Sequence, residues 1–370
     1  MNNFVVSARK YRPVIFKDVV GQSAITNTLS KAIRDNHLAQ SFLFCGPRGV
    51  GKTTCARILA KTINCLNLSV GIDACDLCES CTAFNDNHSF NIHELDAASN
   101  NSVDGIRSLI DQVRFAPQVG AYNIYIIDEV HMLSTNAFNA FLKTLEEPPR
   151  HAIFILATTE KHKIIPTILS RCQIFDFKSI SVNDIVSHLQ YVSMSERINS
   201  EKDALHIIAQ KAGGSLRDSL SMFDRLVNSS DLTLSYKSVI DNLNILDHDY
   251  YLKITKQIIN NDVSSIMLTI NEILSNGFDG HQFVMGLASH FRDLLVSKDK
   301  STIVLLDKGK ELEEKYLTQS QEVDLEFLIK ALRICSKCDV EYRASKNQRL
   351  LVELTLLKMV NIGDIFSEKK

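Results

Sequence analysis

The sequence predicts an α/β fold, with a parallel sheet in its N-terminal part and only helices in the remainder. Three observations lead to this prediction. A short apolar run at residues 42–45 is followed by a glycine-rich loop and then by a helical pattern. Two further apolar runs, at residues 123–128 and 151–159, end in polar side chains, as buried parallel strands do at their carboxyl ends. From about Ser179 onward only helical patterns are visible.

Length and composition limit the possible classes of protein. A chain of 370 residues favours two or three domains, because a single core rarely grows beyond about 250–300 residues. The hydrophobic and charged fractions, 45% and 23%, are typical of globular proteins. The sequence has no apolar leader and no run of 18 apolar residues, so we expect a cytoplasmic protein without membrane association. A net charge of −2 excludes a uniformly basic surface, and contact with nucleic acid would depend on a local patch or on partners.

The glycine-rich loop at residues 46–53 has the pattern G-x-x-x-x-G-K-[ST]. Glycines let the backbone turn so that successive N–H groups and the following helix N-terminus point at an anion. An ordinary glycine-rich turn is the alternative, but the strand before it and the helix after it favour nucleoside triphosphate binding. Lys52 would contact the β- and γ-phosphates, and the Thr53 hydroxyl would ligate Mg²⁺. The expected nucleotide contacts here are Gly46, Gly49, Val50, Gly51, Lys52, Thr53 and Thr54.

A basic arm ending in a proline, residues 8–13, precedes this loop and is followed by an amphipathic helix from Ser23 to about Asn36. Taken alone, the arm would be interpreted as a solvated N-terminus. Its position just before a phosphate loop predicts that it clasps adenine. The residues expected to take part are Tyr11 and Arg12, with Val19 and Val20 offering backbone groups and apolar contact.

Four cysteines follow the helix of the phosphate loop with the spacing C-x9-C-x2-C-x2-C: Cys65, Cys75, Cys78 and Cys81. Buried or free thiols are the alternative, but four thiolates at this spacing are typical of tetrahedral Zn²⁺. A site with four protein ligands leaves no open position for catalysis, so the zinc would be structural. Asp73, Asp76 and Asn85 favour loops rather than helix in this stretch. The cysteines expected to be ordinary structural thiols are Cys45, Cys55, Cys172, Cys335 and Cys338.

A strand is predicted at Asn91–Asp96 and an amphipathic helix at Val103–Val113. The polar residues between them would cap the helix, and free N–H groups at a helix start can also receive a DNA phosphate. Asn100 and Arg107 are the candidate DNA contacts. Simple capping is the alternative for most of these polar residues.

The run at residues 123–129 ends in Asp128 and Glu129. A buried strand would deliver both carboxylates to the sheet edge where ligands bind. Asp128 would hold Mg²⁺ through water, and Glu129 would orient and deprotonate the attacking water. A helix-capping turn is the alternative, and the presence of the phosphate loop favours the catalytic interpretation.

Polar residues later in the chain are individually ambiguous. Thr158 and Thr159 end the next strand and could sense a γ-phosphate or be satisfied strand-end hydroxyls. Arg171 could pair with a surface acid, and Arg217, near a helix start, could face solvent or a nucleotide. A helix is predicted over residues 137–145, with apolar residues at 138, 141, 142 and 145. Further helices are predicted at 181–196, 201–212, 215–228 and 235–243.

Taken in order, the motifs YRP…F.DVVGQ, GPRGVGKT, the four-cysteine insert, ELDAAS, IIDEVHMLS, FNAFLKTLEEPP, LATT, ILSRC and GSLRDSL resemble the bacterial DNA polymerase III gamma/tau family. These are AAA+ ATPases that drive the sliding-clamp loader. The resemblance is carried by residues 8–220, whereas the helical C-terminal third matches in length and character. It implies that Arg171 is an arginine finger acting in trans, that Arg217 is the second sensor, and that Thr159, with Thr158 as the alternative, is the first sensor.

The resemblance also implies an organisation and a set of partners. The expected domains are an AAA+ domain at 1–179 with a zinc module at 65–81, a helical lid at 180–245 and a helical collar at 246–370. ATP, Mg²⁺ and structural Zn²⁺ are the implied cofactors. Implied partners are delta and delta-prime subunits, other copies of this chain, the beta sliding clamp and primed DNA at the nucleoid. The implied activity is ATP hydrolysis that opens and loads the clamp. No polymerase site is expected, so a DNA-directed DNA polymerase label would belong to the holoenzyme.

Two rival interpretations remain at this point. A branch-migration helicase or an archaeal-type small clamp-loader subunit shares the motor pattern, but the cysteine insert argues against both. A non-hydrolysing scaffold such as delta-prime would have a degraded phosphate loop, and the intact Gly51-Lys52-Thr53 argues against it. Because the sequence ends near residue 370, it resembles the short gamma-like form, which lacks the tethering domains of tau.

Overall fold

The computed structural model describes residues 5–68, 72–86, 88–100, 103–117, 119–229, 233–243, 246–299, 301–306 and 310–362, with the side chains of 103, 104, 107, 310 and 311 excepted. The chain divides into two compact units, Met1–Tyr236 and Lys237–Lys370. Within the described ranges, none of the helices combines the length and the apolar character needed to cross a lipid bilayer.

The first unit is built on a parallel five-stranded sheet with the strand order β2-β3-β4-β1-β5. Its strands are β1 (Ser41–Cys45), β2 (Ile92–Asp96), β3 (Asn123–Asp128), β4 (Ala152–Thr158) and β5 (Gln173–Asp176). β1 lies between β4 and β5, and its last residue, Cys45, is paired with Thr158 and Asp176. The carboxyl ends of all five strands therefore meet at one edge. The α/β prediction is confirmed, although β5, a short edge strand, was not predicted.

Helices surround this sheet and then continue beyond it. They are α1 (Ser7–Lys10), α2 (Ser23–Arg34), α3 (Lys52–Ile63), α4 (Glu79–Asn85), α5 (Val103–Val113), α6 (Thr135–Glu146), α7 (Pro166–Leu169), α8 (Val182–Ser195), α9 (Lys202–Lys211), α10 (Leu216–Ser229) and α11 (Tyr236–Leu243). Three 3₁₀ turns lie at Phe16–Asp18, Val130–Met132 and Lys161–Lys163. A two-stranded parallel ladder joins β6 (Asn199–Ser200) to β7 (Thr233–Leu234). The helices predicted from Ser181 to Leu243 agree with α8–α11 to within a residue or two at each end.

The cysteine-rich stretch was predicted to be loop. That prediction was wrong for its last part, which forms the helix α4 (Glu79–Asn85). Asn85 is the last residue of α4, and Cys81 lies within that helix. The helix forms because its apolar side has a place to pack: Phe84 is buried, and the Arg57 guanidinium lies 4.6 Å from the centre of its ring. Glu79 in the first turn also suits the positive end of the helix dipole.

The sheet positions the site because its strands are fixed by burial. All five residues of β1 and all seven of β4 are buried. One face of the sheet packs on α5 and α6 through Leu43, Tyr125, Phe154, Ile106 and Phe141, among others. α6 buries Phe138, Phe141 and Leu145 as its periodicity predicts, and Ser134 caps its N-terminus by accepting a hydrogen bond from the Ala137 N–H.

The second unit, as described, is helical. It contains α11 apart from Tyr236. Its other helices are α12 (His248–Ile259), α13 (Val263–Ser275), α14 (Gly280–Val296), α15 (Lys310–Glu322), α16 (Leu325–Tyr342) and α17 (Gln348–Val360), with a 3₁₀ turn at Ile303–Leu305. They share one apolar core that includes Ile266, Phe291, Leu328 and Leu356. Asp and Asn side chains cap α12, α13, α14 and α17, which explains why these helix starts are sharp.

Candidate nucleotide-binding site and cysteine cluster

A cleft of about 660 Å³ opens at the carboxyl edge of the sheet. Its walls come from the N-terminal arm, the phosphate loop, the end of β3 and the start of α10. The predicted nucleotide residues that line it are Tyr11, Arg12, Val19, Val20, Gly49, Val50, Gly51, Lys52, Thr53, Thr54, Asp128, Glu129 and Arg217. Tyr11 and Arg217, 206 positions apart in the sequence, therefore line the same cavity. Three other predicted site residues, Gly46, Thr159 and Arg171, are not part of its lining.

The phosphate loop connects β1 to α3, and α3 begins at Lys52. Gly46 and Gly49 have positive φ angles of 147° and 75°. A Cβ at Gly46 would overlap the carbonyl oxygen of Phe177, and one at Gly49 would overlap the Ser215 hydroxyl. Glycine is required at both positions because backbone or side-chain atoms approach where a Cβ would stand.

Lys52 is almost fully buried, with 6% of its surface exposed. Its Nζ donates hydrogen bonds of 2.7 Å to the carbonyl oxygens of Gly46 and Pro47, both in its own loop. Burial lowers the pKa of this amine, and the nearby Glu129 and Asp128 carboxylates oppose that effect. The ammonium group is thus held inside the curve of the loop.

The Thr53 hydroxyl and the Asp128 carboxylate meet directly. Thr53 Oγ1 donates a hydrogen bond of 2.6 Å to Asp128 Oδ2. A hydroxyl and a carboxylate in contact beside a phosphate loop are the oxygen ligands that Mg²⁺ uses in this class of site. The donor set present therefore fits a magnesium ion.

Glu129 follows β3 with a left-handed backbone, φ 47°. Its Oε2 accepts hydrogen bonds from the Thr159 hydroxyl at 2.9 Å and the Thr159 N–H at 3.3 Å. Thr158, by contrast, is fully buried, and its Oγ1 lies 3.0 Å from His131 Nδ1. Of the two strand-end threonines, Thr159 is the one in contact with the acid pair.

The arm and α10 complete the cleft. Arg12 Nε donates to Thr54 Oγ1 at 3.2 Å, and partial burial together with repulsion from Arg57 lowers the pKa of Arg12. Arg217 is exposed, and its backbone N–H points to the Gly49 carbonyl at 3.4 Å. Tyr11 lines the cleft while its hydroxyl donates to Glu196, and burial, followed by that contact, raises the pKa of Tyr11 to about 12.

Arg171 lies in the turn between α7 and β5, away from the cleft lining. Its Nη2 is 2.7 Å from Glu146 Oε1, and its Nη1 donates to the Thr167 carbonyl at 2.7 Å. About a third of the side chain is exposed. Arg171 does not belong to the nucleotide site formed by its own chain.

The four predicted zinc ligands form a cluster. The Sγ atoms of Cys65, Cys75, Cys78 and Cys81 all lie within 4.8 Å of one another. Zn–S bonds of about 2.3 Å in a tetrahedron require sulfurs about 3.8 Å apart, so the donor set and its spacing fit zinc. Burial opposes ionisation of Cys78, but hydrogen bonds from the backbone of Leu66 and Cys81 outweigh it and lower its pKa to about 6.

The remaining cysteines are separate from this cluster. Cys45, Cys55, Cys335 and Cys338 are buried and Cys172 is half-buried, as expected for structural thiols. Burial raises the pKa of Cys55, Cys172 and Cys335 to about 12, so these thiols stay protonated at neutral pH.

The candidate DNA contacts are described only in part. Asn100 is exposed, and its backbone N–H donates to the Asp96 carbonyl at 2.9 Å. Residues 101 and 102, which precede α5 in the sequence, and the side chain of Arg107 lie outside the described set.

Two site residues, Gln22 and His131, were missed by sequence reasoning. Gln22 is buried, and its Nε2 donates to the Lys178 carbonyl at 2.7 Å and to the Val50 carbonyl at 3.4 Å. The largely buried His131 ring lies 3.4 Å from Glu129 Oε2 and 3.3 Å from Glu160 Oε1. His131 could have been suspected because it follows the acid pair by two positions, but nothing in the sequence indicated its burial.

A parallel sheet that presents a phosphate loop, an acid pair and a polar strand end along one edge defines a P-loop ATPase of the AAA+ type. Three family models match the chain. They are described as DNA polymerase III delta subunit (residues 21–181), clamp loader subunit ATPase lid domain (184–231), and subunits gamma and tau domain III (234–370).

Similar curated proteins agree with these models. DNA polymerase III subunit tau of Bacillus subtilis is 40% identical over 95% of this chain and 62% of its own length. Subunit gamma of Buchnera aphidicola subsp. Baizongia pistaciae is 34% identical over 98% of both chains. Subunit tau of Escherichia coli is 36% identical, and the match spans 55% of its length. The chain belongs to the DNA polymerase III gamma/tau family of clamp-loader subunits.

Two solved structures show distant similarity to this chain. The RuvB branch migration motor of Thermotoga maritima has a TM-score of 0.47 at 19% identity, covering 73% of this chain and 86% of its own. The Bacillus subtilis clamp loader delta protein has a TM-score of 0.38 at 14% identity, covering 90% of this chain and 99% of its own.

Proposed function

We propose that this chain is the ATP-hydrolysing motor of a clamp loader, which opens a ring-shaped sliding clamp and loads it onto primed DNA. The observation that carries the proposal is the cleft in which the phosphate loop, the Asp128–Glu129 pair and Arg217 converge. Membership of the gamma/tau family supplies the context. The partners in this proposal are delta and delta-prime subunits, further copies of this chain, the beta clamp and primed DNA, acting in the cytoplasm at the nucleoid.

In the proposed binding step, Lys52 exchanges the carbonyl oxygens of Gly46 and Pro47 for phosphate oxygens. Thr53 and Asp128 would hold Mg²⁺, which neutralises phosphate charge when bound. Arg217 would contact the γ-phosphate from α10, so that nucleotide binding biases the position of that helix. The contact between the Arg217 N–H and the Gly49 carbonyl supports this role, because it keeps the start of α10 beside the loop.

In the proposed hydrolytic step, Glu129 orients the attacking water and accepts its proton. Thr159 is the sensor, since its hydroxyl already contacts Glu129. Arg171 would act on the nucleotide of a neighbouring subunit and stabilise charge in the transition state. Its location outside the cleft of its own chain supports action in trans. Hydrolysis would then depend on assembly.

The proposal also includes a structural zinc ion at Cys65, Cys75, Cys78 and Cys81, and DNA contacts near Asn100 and Arg107. The proposal further divides the chain into three domains, at residues 1–179, 180–245 and 246–370. The last of these would be the oligomerisation domain, since no described residue of it forms a catalytic cluster.

The test is steady-state ATP hydrolysis by the chain assembled with delta and delta-prime partners. Rates would be compared for the assembly alone, with clamp, with primed DNA, and with both. We expect a large increase only when clamp and primed DNA are present together. A rate raised by DNA and indifferent to the clamp would contradict clamp loading and indicate a helicase-like or remodelling ATPase.

A further inference from the structure

The N-terminal arm, residues 5–13, is hydrogen-bonded to the helices that follow the AAA+ sheet. The Ser7 N–H donates to Asp224 Oδ2 at 2.7 Å, and the Ser7 hydroxyl donates to Asp224 Oδ1. Ser7 is buried, and Asp224 is half-buried on α10. One carboxylate therefore binds two donors of a residue 217 positions away in the sequence.

A second attachment lies four residues further along the arm. The Tyr11 hydroxyl and the Lys10 ammonium both donate to Glu196, the C-cap residue that follows α8. The Tyr11 ring also meets the ring of Tyr191 edge-on, with ring centres 6.1 Å apart. The arm thus contacts two different helices, α8 and α10.

These attachments stand at the edge of the nucleotide cleft. On α10, Arg217, Leu220 and Asp224 follow the spacing i, i+3, i+7 and lie along one side of the helix. Arg217 and Leu220 line the cleft, and so do Val6 and Pro13 of the arm. Asp224 is therefore placed where one wall of the cleft, the arm, meets another, α10.

The two attachments differ in strength. The Lys10–Glu196 pair is solvent-exposed, with side-chain exposures of 52% and 29%, and such pairs contribute little. Asp224 accepts two hydrogen bonds, both from the buried Ser7, and bonds to an ionised acceptor are stronger than neutral ones. Asp224 is the main attachment and Glu196 the auxiliary one.

We propose that Asp224, assisted by Glu196, is a positioning residue for the base of the bound nucleotide. Asp224 holds the arm against α10. It thereby keeps the apolar side chains of the arm that line the cleft, Val6 and Pro13, in place against the base. The inference rests on the proposed function, since it presumes that this cleft binds ATP. The Lys52 ammonium is held by the carbonyl oxygens of Gly46 and Pro47, within the phosphate loop itself, so we expect the effect to be specific to ligands that carry a base.

The test compares two ligands by equilibrium binding to the full chain: ATP, and inorganic tripolyphosphate, which occupies the phosphate loop without a base. In Asp224→Ala we expect ATP to bind about tenfold more weakly or worse, the scale of lost hydrogen bonds to a charged group. Tripolyphosphate affinity should be unchanged. Asp224→Asn should retain most of the affinity, because its amide oxygen still accepts from the Ser7 N–H. KM for ATP should rise with little change in kcat.

Asp203→Asn is the matched control, because Asp203 is an exposed carboxylate on α9 and none of the hydrogen bonds described for the arm reaches it. It should leave both affinities unchanged. Equal weakening of ATP and tripolyphosphate in Asp224→Ala would overturn the inference, since it would mean a general disturbance of α10. Unchanged ATP affinity would overturn it as well. A wild-type chain that binds neither ligand would instead refute the proposed function.

Discussion

The Thr159 hydroxyl lies 2.9 Å from Glu129 Oε2 and donates a hydrogen bond to it, so the residue after β4 holds the second acid at the end of β3. The Thr159 N–H adds a second, longer bond of 3.3 Å to the same oxygen. A carboxylate fixed by two donors has a defined direction. The two neighbouring threonines thus have different partners: the Thr159 hydroxyl contacts Glu129, whereas the Thr158 hydroxyl contacts His131.

Replacing the Thr159 hydroxyl should slow hydrolysis more than it weakens binding. In Thr159→Ala we expect kcat to fall about tenfold or more, the scale of one lost hydrogen bond to a charged group, with ATP affinity nearly unchanged. Single-turnover hydrolysis and equilibrium ATP binding in the assembled complex would measure the two effects. Thr159→Ser, which keeps the hydroxyl, is the control and should remain close to wild type. Equal rates for the alanine and wild-type chains would refute the sensor assignment.

Arg171→Ala should leave ATP binding intact and lower hydrolysis by about a thousandfold or more in the assembled complex, the scale of an arginine finger. The substitution also breaks the ion pair with Glu146. Glu146→Ala breaks the same pair and keeps the guanidinium, so it should retain most of the activity. Steady-state turnover of both variants separates a role in trans from a structural one. Equal loss in the two variants would show that only the ion pair matters.

Lys52→Ala should abolish nucleotide binding, because the variant lacks the cation that the loop presents to the phosphates and leaves two loop carbonyls without their donor. Equilibrium binding of ATP measures the effect, and a melting curve shows whether the variant still folds. Retained affinity in a folded variant would favour a non-hydrolysing scaffold over a motor.

Carefully reduced protein should contain about one zinc ion per chain by elemental analysis. We expect a chelator to remove it only when the local fold opens, because the ligands are held together by the folded segment. Cys78→Ser should lower the zinc content and the melting temperature. Cys335→Ser, at a buried thiol outside the cluster, should leave the zinc content unchanged. Metal-free wild-type protein of normal stability would contradict a structural zinc site.

Sequence reasoning recovered the parts of the site that are continuous in the chain. The phosphate loop, the Asp128–Glu129 pair and the spacing of the four cysteines each occupy a short segment whose residue types are set by local geometry. Strands β1, β3 and β4 were equally visible, because a central parallel strand buries nearly every residue and appears as a mostly apolar run. β5 was missed because it is a short edge strand with only Phe175 buried.

What could not be predicted are the pairings between distant segments. Ser7 with Asp224 and Arg171 with Glu146 join polar residues whose spacing carries no signal. The choice between Thr158 and Thr159 likewise depended on where His131 and Glu129 stand in space. Such contacts are decided by packing rather than by propensity, and a single sequence does not contain that information.

The position of β1 in the sheet has a consequence for synthesis of the chain. Ser41 pairs with Phe154, and Phe42 pairs with Gln173, so both neighbours of β1 are translated long after it. Until residues 152–176 have left the ribosome, β1 has no strand beside it. The strand from which the phosphate loop emerges is therefore not yet held in a sheet. Contacts that are so distant in sequence form slowly. The nascent chain must therefore keep its apolar first strand from aggregating, and we expect nucleotide-binding competence to appear abruptly, only after β5 emerges.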